Sequence, residues 1–242
     1  MKSSAILTAC PLPTFMTQML TKIKQQGILH LVETRFNRWV PAWIFRFSVG
    51  DVLEIDLGKL ASQWNVNKSD DFVATVVQTQ DGRDQLRKFT WNSVPVESTD
   101  DDFGYAIASA ANPNATLGGV WVGTNDFLES NLGFEIKLST QQSWLYCAYV
   151  DPATRGLGIY KRVLSFAADD VRSKGFERML VVIQPWNRSS MRVHQQFTRQ
   201  RVGRIMVIRM LRWSFVFCNG SVTKDKTIVK HASGRPAQLR IQ

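Results

Sequence analysis

Residues 144–175 read as a strand, a glycine turn and a helix in immediate succession, and this order restricts the fold more than any other feature. Residues 144–150 are apolar and aromatic, as a buried strand requires. Asp151 and Pro152 end the strand. Arg155, Gly156, Leu157 and Gly158 form a short glycine turn. After it Leu157, Tyr160, Val163, Leu164, Ala167, Ala168 and Val171 recur at spacings of three and four, one face of a helix. Gly175 stands where a helix end takes a left-handed residue. Such a turn is a ready anion site. The first amides of a helix lack internal partners, the helix dipole adds positive charge there, and a pyrophosphate fits against them.

A glycine pair alone discriminates poorly, because many strand–helix turns carry one. The dinucleotide-binding fingerprint is excluded on spacing. It needs three glycines at the start of an alternating strand–helix array and an acidic residue about 20 positions on. Asp169 and Asp170 come too early and lie inside the helix.

The order that remains, an apolar strand ending in Val150, Asp151 and Pro152 and then Arg155 to Tyr160, resembles the GNAT superfamily of acyl-CoA-dependent N-acyltransferases. Its signature is Arg or Gln, two residues, Gly, one residue, then Gly or Ala; here Tyr160 takes the last place. A second stretch adds to the resemblance. Asn187 is a helix N-cap candidate, Ser190 follows three residues later, and His194 stands where the family commonly has a tyrosine. Thr198 and Arg199 replace the family's Gly-Phe. The resemblance implies an α/β fold, a GNAT-like mixed central sheet of about six or seven strands with helices on both faces, plus an N-terminal extension. It implies that Arg155, Gly156, Leu157, Gly158, Ile159 and Tyr160 cradle the pyrophosphate of acetyl-CoA or another acyl-CoA. The backbone of Val150 would meet the pantetheine arm, and Asn187 would lie at the same site.

Charge is unevenly spread. The net charge of the chain is +10, yet residues 51–152 carry −9 and residues 153–218 carry +10. The half expected to hold the cofactor is basic, which suits a ligand with several phosphates; it suits a solvated surface or weak nucleic-acid affinity equally. Cys10, Cys147 and Cys218 form no metal spacing, and three cysteines fit a reducing, cytoplasmic setting. No window approaches the roughly 18–20 apolar residues of a membrane span. Leu7 to Cys10 looks like a lipoprotein cleavage box, but only Ala5, Ile6 and Leu7 precede it as an apolar stretch, far short of the roughly 7–15 residues required.

Taken in order, residues 1–50 read as an N-terminal extension with a helix over about 15–31. Residues 36–47 interleave aromatic and basic side chains, a pattern that covers an apolar face of the domain or lies weakly at a membrane surface, with residues 28–47 in contact. Residues 51–71 read as a half-exposed strand and a connecting loop. The GNAT-like domain is expected over 72–218, with a strand at 72–78, a helix at 81–91, a hairpin of 105–110 with 118–123, and a buried strand at 178–183 that completes a right-handed parallel crossover. Glu97, Asp100, Asp101 and Asp102 read as a solvated loop or as an attractor of a cationic amine. Residues 219–242 are polar, basic and aperiodic, and read as a flexible tail.

The chemistry implied by the resemblance is direct attack of an amine on a thioester. It needs a base for the amine and a proton for the thiolate. Residues 144–150 contain no carboxylate; Glu135 is the nearest before the strand and the candidate base, with Glu129 second. His194 is the candidate acid, since imidazole titrates near neutrality. Metal catalysis has no support. The leading expectation is an N-acyltransferase for an amine, cationic in view of the acidic run, with homo-oligomerisation open. A non-catalytic CoA- or nucleic-acid-binding module and a membrane-surface-associated acyltransferase are the alternatives.

Overall fold

The computed structural model describes residues 37–41, 43–63, 71–90, 101–129, 133–230 and 235–242. The expectations for residues 1–36, Glu97 and Asp100 lie outside them. After a single helical turn at Asn37–Trp39 come β1 (Phe45–Ile55), α1 (Leu57–Gln63), β2 (Phe72–Val77) and α2 (Gln80–Phe89). Then follow β3 (Phe103–Ser109), β4 (Asn112–Gly123), β5 (Phe127–Glu129), β6 (Phe134–Lys137) and β7 (Gln142–Val150). The remaining elements are α3 (Ile159–Ser173), β8 (Arg178–Ile183), α4 (Arg188–Gln195), β9 (Thr198–Met210), β10 (Trp213–Gly220), β11 (Val222–Lys224), β12 (Ile228–Lys230) and β13 (Ala237–Ile241).

Among the described residues the strands form two sheets. The larger has nine strands in the order β12-β10-β9-β1-β8-β7-β4-β3-β2, and the smaller has the order β11-β13-β6-β5. In the larger sheet β7 and β8 run parallel and the other pairs antiparallel. This is the mixed α/β sheet that the resemblance implies, wider than six or seven strands. α1 and α3 cover one face, where Leu60, Val163, Leu164, Ala167 and Val171 pack against Leu53, Tyr105, Ile107, Val120 and Leu145. On the other face Val52, Trp144, Leu180, Val207 and Val216 meet Phe134, Ile136, Ala237, Leu239 and Ile241 of the smaller sheet. α2 lies on that face too, with Leu86 against Trp121 and the guanidinium of Arg83 5.3 Å from the Trp121 ring centre.

Two boundaries differ from expectation. Residues 51–63 are not a connecting piece. β1 starts at Phe45 and lies between β8 and β9, buried on both faces along its second half. Glu54, which alternates with apolar neighbours and suggested a wet face, is buried, as is Asp51, and the two are matched by Arg178, Arg201 and Arg204 from the distant strands β8 and β9. Likewise residues 219–230 and 235–242 are not a flexible tail, for they supply β11, β12 and β13, with Val222, Val229, Leu239 and Ile241 buried. These strands are three to five residues long, too short for periodicity to stand out from turn residues. In the segment 28–47, Phe47 is buried in β1, whereas Trp39 and Trp43 are 76% and 63% exposed. Among the described residues no helix is long and apolar enough to cross a membrane, and no group of three or more His, Cys, Asp or Glu residues is placed to hold a metal ion.

Candidate active site

The site begins as a break between two strands. β7 and β8 pair in parallel from Gln142 and Arg178 to Leu145 and Val181, and no further. Beyond that point β8 stays on β1, with Val182 opposite Val52. β7 stays on β4, with Tyr146 opposite Trp121 and Val150 opposite Gly118. A register shift on β4 between Gly119 and Trp121 and a left-handed Cys147, φ 47°, mark the bulge that bends β7 away. A wedge therefore opens between the two strands, and a cleft meets it from each face of the sheet.

The cleft on the α3 side has a volume of about 840 Å³. Ala148, Tyr149 and Val150 form its strand wall, residues 154–162 its floor, and Asn187, Ser189, Ser190 and Val193 its far side. The floor is the glycine turn. Asp151 caps a short 3₁₀ turn at Pro152–Thr154 through the Ala153 amide. Gly156 and Gly158 then take φ of 90° and 77°, values that side chains resist. Gly158 caps α3 without a side-chain hydrogen bond. The helix ladder starts with Arg162 N–H to the Gly158 carbonyl at 3.1 Å, so the Ile159 and Tyr160 amides fall in the unladdered first turn. Apart from Gly156 itself and its two chain neighbours, no atom lies within 4 Å of where a Cβ on Gly156 would stand. Arg155, Lys161 and Arg162 add positive charge along the same wall. An open, cationic, amide-lined turn fits a pyrophosphate. Val150, Arg155, Gly156, Leu157, Gly158, Ile159, Tyr160 and Asn187 all line this one cleft. Leu157, expected on the buried helix face, is 58% exposed, because the helix begins only after Gly158. Asn187 caps α4 by accepting from the Ser190 amide at 3.2 Å.

His194 does not line the cleft surface. It is 1% exposed, and both ring nitrogens have partners. Nδ1 is 2.9 Å from the Ser190 carbonyl, which can only accept, so Nδ1 carries the proton. Nε2 then accepts from the Tyr160 hydroxyl at 2.9 Å. Burial lowers the His194 pKa against the raising effect of the Ser190 hydrogen bond, and burial raises that of Tyr160. The ring is thus a neutral imidazole standing behind Tyr160.

The second cleft lies between the two sheets and holds about 360 Å³. Phe127, Glu129 and Phe134 come from the smaller sheet; Trp144, Tyr146, Cys147, Val182, Ile205 and Val207 come from the larger. Asn187 and Ser190 border both clefts. Glu129 is the carboxylate among these lining residues, whereas Glu135 points to Lys137 at 3.0 Å and lines neither cleft. Asp102, read as part of an acidic run, is buried and accepts from the Tyr146 hydroxyl at 2.6 Å. Burial raises its pKa despite that hydrogen bond and the nearby Arg83. Asp101 accepts from the Asn125 side chain at 3.3 Å. The aromatic wall escaped sequence reading because alternating aromatics in a strand look the same in a core and beside a cavity.

Residues 75–198 match the model described as acetyltransferase (GNAT) family. Among solved structures, a GCN5-related N-acetyltransferase from Kribbella flavida has 10% identity over 65% of this chain and a TM-score of 0.46; this chain spans 56% of that one. A conserved protein of unknown function from Staphylococcus epidermidis has 11% identity, a TM-score of 0.49 and 82% coverage of both chains. AAC(6')-Iy, solved in complex with the bisubstrate analogue CoA-S-monomethyl-acetylneamine, has 18% identity, a TM-score of 0.39, and coverage of 51% of this chain and 87% of its own. No curated protein matches. With the family model spanning just over half of its length, the chain belongs to the GNAT acetyltransferase family.

Proposed function

We propose that the protein transfers an acetyl or other acyl group from acyl-CoA to a primary amine, with the α3-side cleft taking the acyl-CoA and the inter-sheet cleft taking the amine. The observation that carries this reading is that two clefts of different chemistry meet at one break between β7 and β8. One is cationic and amide-lined; the other is aromatic with a single lining carboxylate. Holding both reactants at that break is the main structural contribution to rate.

In the reaction the amine nitrogen bonds to the thioester carbonyl carbon, the carbon–sulfur bond breaks, and the amine loses one proton as the sulfur departs. An alkylamine of pKa about 10.4 enters as ammonium. Glu129 attracts that cation and receives its proton, directly or through water. Backbone amides of β7 beyond Leu145, released from β8, hold the charge that develops on the carbonyl oxygen. His194 is a positioning residue. Its Nε2 carries no proton to give, and it orients Tyr160 at the cleft wall. The sulfur leaves as a thiolate, since a thiol pKa near 8.5 makes it a tolerable leaving group, and the second nitrogen proton, given up as the carbon–sulfur bond breaks, passes through water to that thiolate or to bulk solvent.

Calorimetry with acetyl-CoA tests the reading. Wild-type protein should bind with a micromolar Kd. Gly156→Glu, which puts a carboxylate on the open turn, should weaken binding by about 30-fold or more, roughly 2 kcal/mol, with the unfolding transition retained. Absence of binding by the wild type, with a salt-dependent nucleic-acid titration in its place, would establish the non-catalytic alternative.

A further inference from the structure

The inter-sheet cleft has a composition that distinguishes among amines, and we infer that the acceptor is a small primary amine on a flat apolar body rather than a polyamine or an amino sugar; this rests on the acyl-transfer reading above. The rings of Phe127 and Trp144 stack at 6.0 Å with 30° between planes, and Phe127 meets Tyr146 at 5.2 Å. Phe134, Ile205 and Val207 complete an apolar wall. The hydroxyl of Tyr146 is already donated to buried Asp102, so the ring offers the ligand its carbon surface and not its polar tip. Asp102 is a positioning residue for that ring.

Phe127 and Glu129 are two apart on β5 and so project to the same side. A carboxylate beside ring faces suits an ammonium, which both attract. The remaining polar lining groups, Ser48, Gln184, Asn187 and Ser190, lie on the β1 and β8–α4 side. A ligand with hydroxyls or amines along its whole length would place several against the rings with no partner, which costs affinity. Size agrees. At about 30 Å³ per water-sized group, 360 Å³ accommodates about a dozen groups, the bulk of one or two rings with an aminoethyl arm.

The test is a steady-state panel with saturating acetyl-CoA and 2-phenylethylamine, spermidine or kanamycin as acceptor. The expected kcat/KM for 2-phenylethylamine exceeds that for spermidine and kanamycin by about 10-fold or more. Phe127→Ala should raise the KM for 2-phenylethylamine by about 10-fold and leave the Kd for acetyl-CoA unchanged. Phe127→Leu keeps apolar volume should the alanine variant fail to fold, and should show the same direction. Preference for spermidine or kanamycin, or indifference of both variants with acetyl-CoA binding intact, overturns the inference and leaves acyl transfer standing. Where wild type binds no acetyl-CoA, acyl transfer itself falls. The cleft is then read by the fluorescence difference between wild type and Trp144→Phe on titration with 2-phenylethylamine: a saturable change supports the apolar-amine site, and none overturns it.

Discussion

With Nδ1–H held by the Ser190 carbonyl and Nε2 held by Tyr160, His194 has no proton to hand to a leaving group. Replacing it therefore acts first on stability. His194→Phe leaves the Tyr160 hydroxyl without its acceptor and should cost about 1–3 kcal/mol in urea unfolding at pH 7.5, with kcat falling far less than loss of a true general acid would require. The pH dependence follows in sign. Burial depresses the folded pKa of His194, so its contribution is complete above the unfolded value of about 6.5 and is lost as pH falls below it. Between pH 7.5 and 5.5 wild type should thus lose stability that His194→Phe does not; parallel curves would show that the imidazole does not titrate on unfolding. The same residues show what local sequence reveals. The glycine turn is contiguous, and its chemistry is legible without the fold. Tyr160 and His194 are 34 positions apart, and the choice of Glu129 over Glu135 depends on how the smaller sheet packs.

At the scale of elements, β1 was the least legible and β7–α3 the most. α3 carries a fifteen-residue amphipathic run between a left-handed Gly158 and a left-handed Gly175, signals that need no partner to be read. β1 carries Asp51 and Glu54, whose cations lie 124 to 153 positions away. Burial pushes the Glu54 carboxyl up, yet hydrogen bonds from Gln200 and Arg178 and the charges of Arg178 and Arg199 hold it below the ordinary carboxylate range. Glu54→Gln should therefore lose about 1–3 kcal/mol at pH 7, read by urea unfolding. A depressed carboxylate gives stability that is complete above its unfolded pKa of about 4.3 and lost as pH falls through the folded value. The gap between wild type and Glu54→Gln should accordingly narrow below about pH 4.3. A gap constant with pH would mean that packing, not charge, holds the residue.

For the whole molecule, part of the charge asymmetry seen in sequence is internal. Acidic residues of β1 face arginines of β8 and β9, while Arg155, Lys161 and Arg162 line the α3-side cleft. The C-terminal strands tie the inter-sheet cleft to the rest. β13 pairs in parallel with β6, Ala237 opposite Phe134, and β6 pairs with β5, Phe134 opposite Glu129. The Gln142 side chain donates to the Ile241 carbonyl at 3.0 Å. A chain ending at residue 234 loses the burial of Leu239 and Ile241, about 3–6 kcal/mol, a large share of an ordinary domain's stability. At a temperature where this shorter chain stays folded, its Kd for acetyl-CoA should match the full chain, because the glycine turn and α3 contact none of the lost residues in the phosphate-side cleft. Its KM for 2-phenylethylamine should rise, because Phe127, Glu129 and Phe134 lose the strand that backs them. Loss of acetyl-CoA affinity in a folded shorter chain would mean that the two clefts are coupled through the β7–β8 break rather than built by separate sheets.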